Sequence, residues 1–316
     1  MNHNLRIDTI KGILIISVII AHTTSSFDVL KRVYQLIGIL GVPCFFFISG
    51  YLNSLSSEKK IVKQLRYIIP WVILGGVTYL INSLAGSENS SVTIVDLLKY
   101  LVGYHSHLYY LSILLMFQVA SGMFRNLKIW KFIESIALGF TIIFAVYYDI
   151  TGVKDAIFYP YLNPLFWLGY WGLGRTFEKK WKDKLIKTNC IKPILLFWSA
   201  VIIEWVAGKS FITYFSLLSI VLNLATIYVS CYYICNNNLR SCEILARLGK
   251  SSLFIYLSHN VVIGLLNIII KNNIVWDLAK PLLVVLMYVT FFSFINNYLW
   301  KYPRVQFICK KMGIKP

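Results

Sequence analysis

Acidic residues are scarce in this 316-residue chain, with 13 Asp and Glu against 31 Lys and Arg, and charged residues of both signs make up only 14%. So little charge excludes an ordinary soluble domain of this length. Cysteine is sparse too: Cys44, Cys190, Cys231, Cys235, Cys242 and Cys309 form no CxxC pair and no metal-ligand spacing. That excludes a disulfide framework, and no metal is predicted. Cys231 and Cys235 stand four apart in an apolar run and read as helix-face residues. Internal repeats and low-complexity tracts are lacking. Arg6 and Lys11 precede an apolar run over 13–21, but no small-x-small cleavage site follows, so this segment reads as a retained first helix. Gly169, Gly172 and Gly174 have no strand before them, which excludes a dinucleotide fingerprint. Close helix packing accounts for them better.

What the chain has in abundance is apolar surface: 58% of its residues are hydrophobic, and the mean hydropathy is +0.66. Apolar runs fall at about 10–26, 36–52, 67–86, 107–124, 132–148, 161–177, 193–208, 212–235, 252–270 and 281–300. Most are long enough to cross a hydrocarbon layer roughly 30 Å thick. The expectation is an all-α polytopic integral membrane protein with about ten transmembrane helices, one domain over 1–316. Pro43 and Pro70 either start or kink their helices. Segment 92–103 has the apolar spacing of a short helix lying on the membrane surface.

The net charge of +18 fits this arrangement. With the N-terminus inside, only Lys31, Arg32, Lys99, Lys154, Lys209, Lys271 and Lys280 fall on the outer side. The remaining Lys and Arg fall on the inner side, which predicts both termini in the cytoplasm. A nucleic-acid surface would need these cations on one soluble face, and no length remains for one. Trp71, Tyr147, Tyr148, Tyr161, Trp276 and Trp300 lie near span ends, as interfacial anchors do.

Ionisable groups inside spans are few and costly, so they are the candidates for chemistry. His22 follows Lys11 by 11 residues, about 1100° of helical rotation, so both project from one face about 16 Å apart along the axis. This places Lys11 at the inner surface and His22 near mid-membrane. Asp8 is three residues from Lys11, in ion-pairing range. A cation at the inner interface with an imidazole above it suits a long anionic ligand entering from the cytoplasm. A neutral imidazole accepts a proton, as a general base must. The plainer reading is a hydrogen bond from His22 to a neighbouring helix. Ser252, Tyr256 and His259 form a second polar stripe at i, i+4, i+7, with Lys250 just outside it. The stripe lines a cavity or glues helices together. Glu204 either orients a histidine, binds an acceptor hydroxyl or bonds between helices. His107 lies where the fourth span enters from outside, and His105 has a hydrated surface position.

These pieces together resemble the membrane-bound acyltransferase family 3, which includes bacterial O-acetyltransferases of surface polysaccharides. Lys11-Gly12 and the run to His22 are similar to its signature of a basic residue, ten residues, then histidine. Lysine here stands where many members have arginine, keeping the charge without the bidentate fork. Phe45-Phe46-Phe47-Ile48-Ser49-Gly50-Tyr51-Leu52 resembles its Phe-Phe-x-x-Ser-Gly segment. Lys63 and Arg66, with Pro70, look like its basic loop and the opening of the next helix. His107-Leu108-Tyr109-Tyr110-Leu111 resembles His-Leu-Trp-Phe-Leu, with Tyr109 in place of Trp. Leu248-Gly249-Lys250-Ser251-Ser252 through Tyr256 to His259 resembles its late Gly-Lys-x-Ser…Tyr-x-x-His segment.

The resemblance implies an O-acyltransferase of the bacterial cytoplasmic membrane. An acyl-CoA, acetyl-CoA by analogy, would be the donor, and a carbohydrate or glycolipid hydroxyl the acceptor. On this reading Lys11, Lys63, Arg66, Lys250 and Ser252 hold the donor. His22 deprotonates the acceptor hydroxyl or is transiently acylated. Ser49, Tyr256 or His259 donates to the oxyanion, and His107, Tyr109 and Glu204 contact the acceptor. The rival is a transporter or flippase for a sugar-linked or anionic substrate, using intramembrane His and Glu as a proton relay. The paired interrupted helices common in such folds are not seen here.

Overall fold

The computed structural model describes residues 5–23, 25, 27–55, 67–85, 93–124, 128–152, 159–180, 194–195, 198–199, 215–236, 240–269 and 274–314. Lys63, Arg66 and Glu204 lie outside the described residues, as does most of the expected span 193–208. The described residues contain no strand. The principal helices are α1 (Leu5–His22), α2 (Asp28–Ile39), α3 (Gly41–Ser54), α4 (Ile68–Ala85), α5 (Ile94–Val102), α6 (Tyr109–Phe124) and α7 (Lys128–Thr151). They are followed by α8 (Pro164–Lys180), α9 (Leu217–Cys235), α10 (Glu243–Lys250), α11 (Ser252–Ile269), α12 (Ile274–Phe294) and α13 (Pro303–Lys311).

Among the described residues, four helical stretches are long and apolar enough to cross a membrane: Asp28–Ser54, Phe132–Thr151, Leu217–Cys235 and Ile274–Leu299. Ile68–Ile81, Tyr109–Phe124 and Ser252–Asn267 are shorter apolar helices. The expected spans that fall on described residues each overlap helix, and the amphipathic segment at 92–103 contains α5. Pro43 and Pro70 both lie in the first turn of their helices, where a missing N–H costs nothing.

Two boundaries differ from the sequence reading. The first helix covers 5–22, not 10–26. Its charged first half stays helical because Asp8 and Thr9 are buried against α10, a partner that local hydropathy does not reveal. His22 therefore stands in the last turn of its helix rather than midway along an apolar run. The last apolar helix begins at Ile274, not 281, and carries Pro281 inside it. Lys280, counted above as an outer surface cation, is instead buried and paired with Asp277 at 3.0 Å.

The chain folds as two compact units. The first comprises Met1–Tyr34, Val62–Tyr109 and Ser241–Pro316, and the second Gln35–Ile61 and Tyr110–Arg240. In the first, α1 lies directly on α10. A Cβ on Gly12 would come 2.0 Å from the Leu245 carbonyl oxygen, and one on Gly249 would come 1.8 Å from that of Asp8. Only glycine permits backbones to approach so closely. α11 packs on α4 and α1, and α12 on α1 and α11. In the second unit, α8 packs on α3 and α7. A Cβ on Gly174 would meet the Phe47 carbonyl oxygen at 1.9 Å, and one on Gly169 the Thr141 Oγ1 at 2.2 Å. The glycines of 169–174 are packing residues, as their apolar context indicated. Phe46, Phe117, Trp167 and Trp171 form a cluster of rings in the same unit.

Candidate active site

The histidines of the first unit meet. His22 ends α1, His259 lies in the second turn of α11, and His107 sits in the turn just before α6. Their ring centroids are 4.9 Å apart for His22 and His259, 5.1 Å for His107 and His259, and 5.8 Å for His22 and His107. The three rings are not placed as a metal-ligating group.

Each ring is brought there by a local device. The turn carrying His107 begins at Gly103, which caps α5 at φ +107°. A Cβ on Gly103 would stand 2.3 Å from the Tyr109 Cα, so the turn folds back only because this residue is glycine. Ser106 Oγ donates to the Tyr100 carbonyl at 2.6 Å and accepts from the Leu108 N–H at 3.3 Å. Tyr256 Oη donates to the His107 carbonyl, which clamps the turn to α11. The glycine contacts of α10 on α1 bring the residue before Lys250 against Asp8 and Gly12. From there α1 and α11 run in the same direction to the paired His22 and His259.

The polar partners of the rings differ. His259 Nδ1 faces the carbonyls of Tyr256 at 2.7 Å and Ile255 at 3.2 Å. Asn260 Nδ2 lies 2.8 Å from His107 Nδ1. The Nε2 atoms of both His107 and His259 are buried without a hydrogen-bond partner among the described residues. Leaving a buried polar atom unpaired costs about 1–3 kcal/mol, and these two belong to one cluster of rings. His22 is half-buried, and its ring lies against the other two.

The remaining candidates divide by place. Lys11 Nζ pairs with Asp8 Oδ1 at 3.1 Å, as the i, i+3 spacing indicated. Lys250 ends α10 beside this pair and is half-buried, and buried Ser252 opens α11. Both cations thus stand at one end of α1, with the imidazoles at the other. Tyr109 is buried against Gly103. Tyr256, read above as an oxyanion donor, has its hydroxyl engaged by the His107 carbonyl. Ser49 belongs to the second unit, where its Oγ bonds Tyr110 Oη at 3.0 Å.

Sequence reading missed three residues here. Asn260 escaped notice because it follows a more conspicuous histidine. Asp277 and Lys280 were hidden by the misplaced start of α12, although their i, i+3 spacing was the available signal. Asp277 also accepts from Ser25 Oγ at 2.9 Å, and its carbonyl accepts from Tyr34 Oη at 2.7 Å. The segment directly after His22 is thereby tied to α12.

An all-helical, multi-pass membrane protein with a cluster of buried imidazoles is the class that fold and site define. The acyltransferase domain of acyltransferase family 3 matches residues 4–295, and the chain belongs to that family. No curated protein and no solved structure matches it.

Proposed function

We propose that this acyltransferase moves an acetyl group from acetyl-CoA to a hydroxyl of a cell-surface carbohydrate or glycolipid, at the bacterial cytoplasmic membrane. The observation that carries the proposal is the imidazole cluster, with half-buried His22 in it and Lys11 on the same helix below it. The ammonium groups of Lys11 and Lys250 suit the phosphates of a donor entering from the cytoplasm. Lys63 and Arg66 are proposed to extend that contact. The roughly 16 Å from Lys11 to His22 along α1 suits an extended pantetheine arm reaching from phosphates to thioester. The parallel course of α1 and α11 agrees with both helices leaving the cytoplasmic face, in a ten-span bundle with both termini inside.

In the reaction, His22 takes the proton of the acceptor hydroxyl as its oxygen attacks the thioester carbonyl carbon. The carbonyl oxygen becomes an oxyanion, and hydrogen-bond donors stabilise it. Collapse breaks the carbon–sulfur bond, and the departing thiolate takes the proton back from the imidazolium. The products are the ester and free CoA. Burial excludes water, which would otherwise hydrolyse the donor.

The test is the purified full-length protein in nanodiscs with radiolabelled acetyl-CoA and an acceptor glycan. Label is expected in the glycan as a base-labile ester. His22→Ala should lower kcat by about 10³-fold, within the range for loss of a general base. Unchanged transfer by a correctly inserted His22→Ala protein would sink the proposal.

A further inference from the structure

The two unpartnered Nε2 atoms are not equivalent, and their neighbours say how they differ. A carbonyl oxygen only accepts, so His259 Nδ1, facing the carbonyls of Tyr256 and Ile255, carries the proton. A neutral ring has one N–H, so His259 Nε2 is a bare acceptor. An amide NH2 only donates. His107 Nδ1, facing Asn260 Nδ2 at 2.8 Å, is therefore unprotonated, and His107 Nε2 carries the hydrogen. Two rings whose centroids lie 5.1 Å apart thus present opposite polarity: one donor and one acceptor, both buried and without a partner among the described residues.

We infer that Asn260 is a positioning residue that holds His107 in the Nε2–H tautomer, making His107 the catalytic donor to the oxyanion, an assignment that rests on the acyl-transfer reading above. The other candidate donors near the cluster are engaged elsewhere. Tyr256 Oη donates to the His107 carbonyl, and the His259 Nδ1 hydrogen points to its own helix backbone. His107 alone of the three rings has a buried N–H with nothing to receive it. It accepts no proton during the reaction: its hydrogen bond forms as charge gathers on the thioester oxygen and lapses when the thiolate leaves. The carbonyl of His107, held by Tyr256, fixes the ring's anchor point, and Asn260 fixes which nitrogen is protonated.

The chain has five histidines, so ¹⁵N-histidine NMR of the full-length protein in nanodiscs is tractable. Signals are assigned with His107→Gln and His259→Gln. The expected result is a proton on Nε2 of His107 and on Nδ1 of His259. In Asn260→Ala, His107 should show both tautomers, and kcat should fall about 10- to 100-fold with KM for acetyl-CoA little changed, as for loss of a group that orients a working histidine. His107→Ala should lower kcat by about 10²- to 10³-fold, as for loss of an oxyanion donor. A wild-type His107 protonated at Nδ1 overturns the inference whatever the variants do. So does an Asn260→Ala protein with unchanged tautomer and kcat. Wild-type protein with these tautomers but no acyl transfer would instead overturn the acyl-transfer reading, and with it the catalytic role of His107, while leaving the proton positions standing.

Discussion

Each unit buries a conspicuous polar group, Arg175 in the second and the imidazole cluster in the first, and the two differ in how they are partnered. In the second, the cation has an anion, two hydrogen-bond acceptors and an aromatic ring around it. Arg175 forms an ion pair with Glu134, Nε to Oε1 at 2.7 Å, donates from Nη1 to Ser121 Oγ and Asn53 Oδ1, and lies 5.2 Å from the Trp171 ring. In the first unit, two imidazole nitrogens are buried and left open. A satisfied network fixes structure, whereas an open one holds a place for something the protein does not supply. The contrast teaches that burial of a polar residue in a membrane protein is not by itself a sign of function. Whether its hydrogen-bonding capacity is used up decides.

That contrast can be broken most severely at the enclosed ion pair of the first unit. Lys280→Met leaves Asp277 as an uncompensated buried charge and should destabilise the protein by about 3–5 kcal/mol, read as a lowered thermal midpoint in detergent. The double variant Asp277→Leu with Lys280→Met should recover much of that loss. Equal destabilisation by single and double variants would show that the pair is not the operative unit. Next in size, Gly249→Ala drives a Cβ into the Asp8 carbonyl and should cost at least the about 1–3 kcal/mol typical of overpacking. Gly76→Ala, with nothing within 4 Å, should be silent by the same measurement.

The second unit gives the sharper separation of stability from activity. Arg175→Lys keeps the charge but cannot reproduce the three-way fork, and should cost about 1.5–3 kcal/mol for a lost charged hydrogen bond. KM and kcat measured below the lowered midpoint should stay near wild type. A large fall in kcat at unchanged stability would move Arg175 into the chemistry and erase the contrast. The smallest effect concerns labelling. Cys242 is exposed, and Cys309 is buried with its thiol pushed up by burial. A membrane-impermeant maleimide added to inverted vesicles should label Cys242 several times faster, since only the exposed thiolate reacts readily. Faster labelling of Cys242 in right-side-out vesicles would reverse the proposed orientation.

Much of the fold was legible because apolar length is a local property. The helices at 68–85, 109–124 and 217–235 follow from hydropathy alone. The helical α5 follows from its apolar spacing, and the structure adds Thr93 as its cap and Gly103 as its stop. The candidate histidines stood out because such residues are costly in lipid. Local reading failed where a distant partner paid the cost of burial. Asp8 is buried beneath α10, Lys280 is neutralised within α12, and Arg175 sits among Asn53, Ser121 and Glu134. Lys280 and Arg175 were counted among the loop cations because the true helix boundary or the partners were out of view, and the pairing of Asp8 with Lys11 was legible but its burial was not.

The sequence by itself determined that this is a helical membrane protein of the acyltransferase class, because hydrocarbon thickness sets span length and the motif residues are fixed in order along the chain. It also picked out His22, His107 and His259 one at a time. Only the tertiary structure decided that the three rings meet within about 6 Å. The reason is that their meeting depends on glycine contacts between α1 and α10 and on a left-handed turn at Gly103. Only the tertiary structure decided, too, which nitrogens remain open, since that depends on carbonyls and an amide whose positions spacing along the chain does not specify.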